Sequence, residues 1–266
     1  MPKLSAKRAF GLFCGSIFIG LMPAATGFSS DSSTATAAVP LRQLHDPNTG
    51  LSALVHVSPR FDGSPMPLLL YLHGAGESGA NVRGLISEGA TGTPPVELEH
   101  GTALPILRNQ FTMVAPQTSH GWEAEEISKF VDFLLSPASG LSLDSKRMYV
   151  TGHSMGGAGA LYAGTTRRFA AVVPVAPAGS VRPSGLRGVP VWAFHGKNDV
   201  VVSSDNSERL IERLRKNGAN ESDARLTLYD KAPAPVGWPD YDGHASTIPA
   251  YATPELWKWV LEQRSS

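Results

Sequence analysis

The sequence predicts an α/β fold: a mostly parallel central sheet with helices on both faces and no large cap domain. Three observations carry this. Short apolar runs alternate with helix-patterned segments along most of the chain, the mark of strand–helix repetition. Several of those runs are continuously apolar, as strands buried on both faces must be. The 266 residues, 42% hydrophobic and 17% charged, are enough for one large core and too apolar for a disordered chain.

In chain order, the expected strands cover residues 51–57, 68–73 (LLLYLH), 111–115, 148–151 (MYVT), 171–175 (AVVPV), 191–195 (VWAFH) and 226–229. The expected helices cover 123–135, 155–167, 206–216 and 255–263. Asp205 followed by Glu208 fits a capping box for the third helix, and Thr253-Pro254 gives the last an N-cap and a proline at its first position. About 15 residues separate the 171–175 and 191–195 strands, which leaves no room for a lid.

The chain's start reads differently. Lys3, Lys7 and Arg8 precede an apolar run of about 14 residues that Pro23 breaks, and small residues follow. That layout predicts a signal peptide over residues 1–27 and export of the rest; a later cut near Ala38, an uncleaved anchor and an organellar leader are the alternatives. The run is short for a membrane span, so no stable membrane insertion of the mature protein is expected. Residues 28–40 are rich in Ser, Thr and Ala and read as a disordered linker, which leaves 41–266 as the folded domain.

Twenty-three basic and 23 acidic residues give zero net charge, which argues against a nucleic-acid partner. Removing the leader's three cations leaves 20 basic against 23 acidic residues, a net charge of −3. The single cysteine, Cys14, lies in the leader. The mature domain would therefore carry no disulfide framework, thiol catalysis or Cys-rich metal site.

The strongest chemical signal is Gly152-His153-Ser154-Met155-Gly156, which follows the strand MYVT and opens a helix. Strand–turn–helix is the context a nucleophile elbow requires. The turn strains the serine backbone, and the glycines remove Cβ atoms that would clash. A serine hydroxyl needs a base, and the base an orienting carboxylate. In the chain order serine, acid, histidine, only His195 and His244 lie downstream. His244 sits in the loop WPDYDGHAST before the last helix, where the base belongs. His195 ends a strand and reads as a structural residue fixing the loop that carries the acid. Asp199 in that loop is the orienter; Asp205 has its own use as a cap, and Asp240 and Asp242 read as loop polar groups.

An oxyanion hole needs two converging backbone N–H groups. One falls to Met155, after the nucleophile. The other falls to Ala75, with Gly76 second, in the loop His73-Gly74-Ala75-Gly76-Glu77. Glu77 reads as a loop-ordering residue. Trp122, Trp238 and Tyr241 sit in loops at the strand-end side and are candidates for a substrate pocket. The rival to this reading is Gly74-x-Gly76-x-x-Gly79 with Glu99 twenty residues on, a dinucleotide fingerprint. It lies on the second strand rather than the first, and the stretch behind it contains Pro94-Pro95 and no apolar run. No H-E-x-x-H metal spacing occurs, and neither a metal nor a cofactor is expected.

The segments YLHGAGESG (71–79), VAPQ (114–117), RMYVTGHSMGG (147–157), VPVWAFHGKNDVVV (189–202), Gly243-His244 and PELWKWVLEQR (254–264) together resemble the α/β-hydrolase superfamily. Within it they are similar to the predicted peptidase and esterase group related to polyhydroxybutyrate depolymerases, feruloyl esterases and dienelactone hydrolases. His153 stands where that group often has leucine. The resemblance implies a Ser154–Asp199–His244 triad, an oxyanion hole near Ala75 and Met155, and a small-molecule or polymer-attached ester as substrate. A serine peptidase using the same triad is the alternative activity. Asn220-Glu221-Ser222 is a glycosylation sequon.

Overall fold

The computed structural model describes residues 40–265. The expected leader and nearly all of the expected linker lie outside the described residues.

Eight strands form one sheet: β1 (Arg42–His45), β2 (Ser52–His56), β3 (Met66–Leu72), β4 (Thr112–Gln117), β5 (Leu143–His153), β6 (Ala171–Val175), β7 (Val191–Gly196) and β8 (Ala224–Tyr229). Their spatial order is β1-β2-β4-β3-β5-β6-β7-β8. β2 pairs antiparallel with β1 and β4, and every other pair is parallel. From β3 the chain moves outward to β4 and then returns to β5 on the other side. The carboxyl ends of β3 and β5 therefore flank a topological switch point, where α/β sheets open a crevice for ligands.

β3 shows why the sheet holds. Leu68, Leu70 and Leu72 point into one core, and Leu69 and Tyr71 into the other. Each is at most 2% exposed. Period-two alternation in a fully apolar segment places a hydrophobic layer on each face, so the strand must be covered twice.

On the first face lie α3 (Ala124–Leu135), α4 (Met155–Gly164) and α5 (Asp205–Lys216). They contribute Phe130, Leu134, Leu161 and Leu210, among others, to that core. On the second lie α1 (Pro94–His100), α2 (Pro105–Gln110), α6 (Thr247–Tyr251) and α7 (Pro254–Glu262), which contribute Leu98, Leu107, Tyr251 and Trp257. The connection from β6 to β7 is short and holds one 3-10 turn, Pro183–Leu186, so the fold has no large cap.

Four expectations need correction. β1 was not anticipated, because four residues with exposed or half-buried side chains show no apolar pattern. α1, α2 and α6 were missed as well; α1 and α2 start on proline, and the three helices have only five to seven residues. α4 ends at Gly164 rather than Arg167. Ser204, not Asp205, stands at the N-cap of α5, and its side chain caps no backbone N–H; Asp205 lies inside the helix and pairs with Arg209.

The dinucleotide fingerprint lacks its helix. Two 3-10 turns, Val82–Ile86 and Glu88–Ala90, follow Gly79. Glu99 accepts from the Leu41 N–H and pairs with Arg83.

Candidate active site

Ser154 sits between β5 and α4 with φ 54 and ψ −113, a region that a residue with a Cβ rarely occupies. The neighbours hold it there. Ser154 N–H donates to Val175 O at 3.0 Å, and Ser154 O accepts from the N–H groups of Ala158 (3.1 Å) and Ala178 (2.9 Å). A Cβ at Gly156 would overlap the carbonyl oxygens of Leu72 and His73, and one at Gly157 would press on Val175 O. The glycines are what allow α4 to start so close to the strand ends.

Asp199 lies in the turn after β7, with its side chain buried. Its Oδ1 accepts from the N–H groups of Val201 (2.8 Å) and Val202 (2.9 Å), and its Oδ2 accepts from His244 Nδ1 at 2.8 Å. His195 Nε2 stands 3.3 Å from the same oxygen. Burial alone would raise this carboxyl, but the hydrogen bonds from His195, His244 and Val202 outweigh it and hold Asp199 well below the usual carboxylate range. An ionised carboxylate only accepts, so His244 carries a proton on Nδ1 and turns Nε2 away from the acid. His195 is fully buried; its Nε2 donates to Val202 O at 2.9 Å and its Nδ1 meets Ser207 Oγ at 2.8 Å. It ties the loop carrying Asp199 to α5.

The loop carrying His244 has no regular structure and is held from the acid side. Asn198 Nδ2 donates to Ala232 O (3.0 Å) and Asp242 Oδ2 (3.1 Å), and Asn198 Oδ1 accepts from Ala232 N–H (2.8 Å). Val200 N–H donates to Asp242 O at 3.1 Å. Gly243, at φ +81, lies so close to the backbone of Asn198 and Asp199 that no Cβ would fit. Asn198 was not singled out from sequence, since a lone asparagine after a strand carries no motif.

Behind β3, His73 is fully buried. Its Nε2 accepts from Thr118 N–H at 3.0 Å, so its Nδ1 donates to Gly74 O at 2.6 Å. These bonds steady the 3-10 turn Ala75–Glu77. Among the described residues, neither Ala75 N–H nor Met155 N–H, each the first of its helical turn, has a protein acceptor.

Ser154, His153 and His244 line one cavity of about 610 Å³. No hydrogen bond joins Ser154 Oγ to His244 Nε2; catalytic bonds of this kind often tighten only with substrate. Ala75, Gly76 and Glu77 line the cavity, as do Trp238 and Tyr241, whose rings stack obliquely at 5.3 Å. Trp122 does not reach it. That ring is 5% exposed, packs edge-on against His73, and donates from Nε1 to His73 O at 3.0 Å. Trp122 is a core residue under the loop, so its assignment to the pocket is withdrawn. Residues not anticipated also line the cavity, among them Thr91, Thr93, Val201 and Pro235. Among the described residues no His, Cys, Asp or Glu cluster could hold a metal ion.

Neither a protein-family model nor a curated protein matches the chain by sequence. Solved structures do. A thermostable esterase superposes with a TM-score of 0.68 at 26% identity, over 84% of this chain and 62% of its own. The fold is that of the α/β-hydrolase superfamily. The chain thus spans less than two thirds of that esterase. Two further solved structures are similar over nearly their whole lengths. A ferulic acid esterase has a TM-score of 0.58 at 16% identity, over 83% of this chain and 96% of its own. A fluorophosphonate-binding serine hydrolase of Staphylococcus aureus has 0.54 at 15%, over 84% of this chain and all of its own.

Buried histidines in this α/β-hydrolase fold set its acid tolerance. Burial lowers His56, and lowers His73 to about 4. Burial, with the nearby His244, lowers His153 to about 3. In the unfolded chain all three take up protons below about 6.5. Unfolding therefore absorbs protons, and stability falls from about pH 6.5 toward pH 4, at up to about 1.4 kcal/mol per pH unit for each histidine. Glu77 and Glu126, raised by burial, offset part of this. Thermal melts should show Tm lower by about 5–15 °C at pH 5 than at pH 7.5; an unchanged Tm contradicts the neutral assignment of these histidines.

Proposed function

We propose that the protein is a serine esterase that hydrolyses carboxylic esters through a covalent acyl-enzyme. The observation that carries this is His244, bonded to Asp199 at 2.8 Å and sharing a cavity with a serine on a strained elbow. The esterase and serine hydrolase structures it superposes on support the same reading.

Ser154 Oγ attacks the ester carbonyl carbon while His244 Nε2 takes its proton. Asp199 holds the Nδ1–H tautomer and stabilises the imidazolium. The N–H groups of Ala75 and Met155 receive the oxyanion. Collapse breaks the bond to the alcohol, which leaves with the proton from His244. Water, deprotonated by His244, then attacks the acyl-enzyme and frees Ser154 and the acid.

The cleft fits small or polymer-attached esters. Five exposed large apolar side chains, Val200, Val201, Val236, Trp238 and Tyr241, belong to the two loops bordering it, and they suit an apolar or aromatic arm of the substrate. Export through the leader at residues 1–27 belongs to the same proposal.

Matched p-nitrophenyl esters and p-nitroanilides, with acetyl, butyryl, feruloyl and hydroxybutyryl groups, test the activity. Esters should turn over at least 100-fold faster than the matching anilides, and a fluorophosphonate should label Ser154. Anilide cleavage at comparable rates would instead make the protein a peptidase.

A further inference from the structure

His153, the last residue of β5, touches both neighbouring parts of the site. Its Nε2 lies 2.7 Å from the backbone carbonyl oxygen of His244. A carbonyl only accepts, so Nε2 carries the proton and donates. The two imidazole rings lie 4.7 Å apart at 49°. On the other side, His153 Nδ1 comes within 3.4 Å of where a Cβ on Gly74 would stand, against the oxyanion loop.

The bond from Nε2 has a particular place in the network. Every other polar tie on the His244 loop described above runs to the acid side, from Asn198, Asp199 and Val200. Those ties fix the base against the loop of Asp199, and none of them reaches the elbow. Among the described residues, His153 Nε2–H to His244 O is the one hydrogen bond between the elbow and the histidine loop. We infer that His153 is a positioning residue, whose side chain sets the separation of His244 from Ser154 by gripping the His244 backbone from the elbow. A leucine here would fill the space and leave that carbonyl unheld. The charges of His244, Asp199 and His195 act on the ring, and Glu77 Oε2 and His153 Nδ1 both lie beside Gly74. Burial beside His244 keeps His153 neutral, so it adds no charge next to the imidazolium that forms during turnover.

His153 would act only through the triad proposed above, on which this assignment rests. Misplacing a base by about 1 Å costs about 100-fold in rate. His153→Leu should therefore lower kcat about 10- to 100-fold with KM within threefold. His153→Gln, which keeps an N–H at similar reach, should recover to within about fivefold of wild type. Fluorophosphonate labelling of Ser154 should follow kcat in both. In a His244→Ala background, replacing His153 by Leu should add no further loss of labelling.

A kcat for His153→Leu within twofold of wild type overturns the assignment. So does a Gln variant no better than the Leu variant at equal Tm, or an undiminished further loss in the His244→Ala background. Should His153→Leu fail to fold, His153→Met replaces it in the same comparison. The triad itself is tested apart from this: a fully active Ser154→Ala overturns the triad, whereas an inactive Ser154→Ala beside an unimpaired His153→Leu overturns only the role of His153.

Discussion

Ser154→Ala should lower kcat by about 10⁴-fold or more and abolish fluorophosphonate labelling, with Tm within a few degrees of wild type. The size follows from the roles: without Oγ there is no acyl-enzyme, and His244 and Asp199 have nothing to activate. Residual hydrolysis would come from the oxyanion donors and the cleft. The fold should survive, because Ser154 is held by its backbone: its N–H and C=O bond to Val175, Ala158 and Ala178. Alanine relieves none of the positive-φ strain and adds none. Activity assays beside a thermal melt decide the matter, and near-wild-type turnover would refute the proposed nucleophile.

Gly156→Ala should do the opposite and damage structure first. Its Cβ would sit on the carbonyl oxygens of Leu72 and His73, backbone atoms at the end of β3 with no rotamer to yield. Relief requires α4 to lift from the sheet or β3 to shift. Overpacking of this kind costs about 1–3 kcal/mol, and more where backbone must move; we expect about 3–5 kcal/mol. Shifting His73 also moves the turn at Ala75–Glu77, so the folded fraction should lose activity as well. Denaturant unfolding and specific activity per folded molecule measure both effects. A variant as stable as wild type would mean that the helix and strand are not in the close contact described.

Much of this was legible in the sequence, for local physical reasons. The elbow was readable because its glycines are needed at fixed spacing around one serine. The apolar strands were readable because burial on both faces leaves no polar positions. Asp199 and His244 followed from chain order once Ser154 was placed. What was hidden depends on contacts between distant segments. Asn198 clamps Ala232 and Asp242, 34 and 44 residues away. His153 reaches His244 across 91 residues. Trp122 looked like a loop aromatic, and only folding turns it inward onto His73. Short helices opened by proline, such as α1, lack the length for periodicity to show.

The brief connection between β6 and β7 has a consequence for how such a protein can change. Residues 178–190 are exposed or half-buried except for Leu186. The nucleophile and the oxyanion turn are encoded before this stretch, and the bonded acid and base after it. It is a seam in the gene as much as a loop in the molecule. Recombination or insertion there could supply a new cover for the cleft while Asp199 and His244 stay together on one inherited fragment.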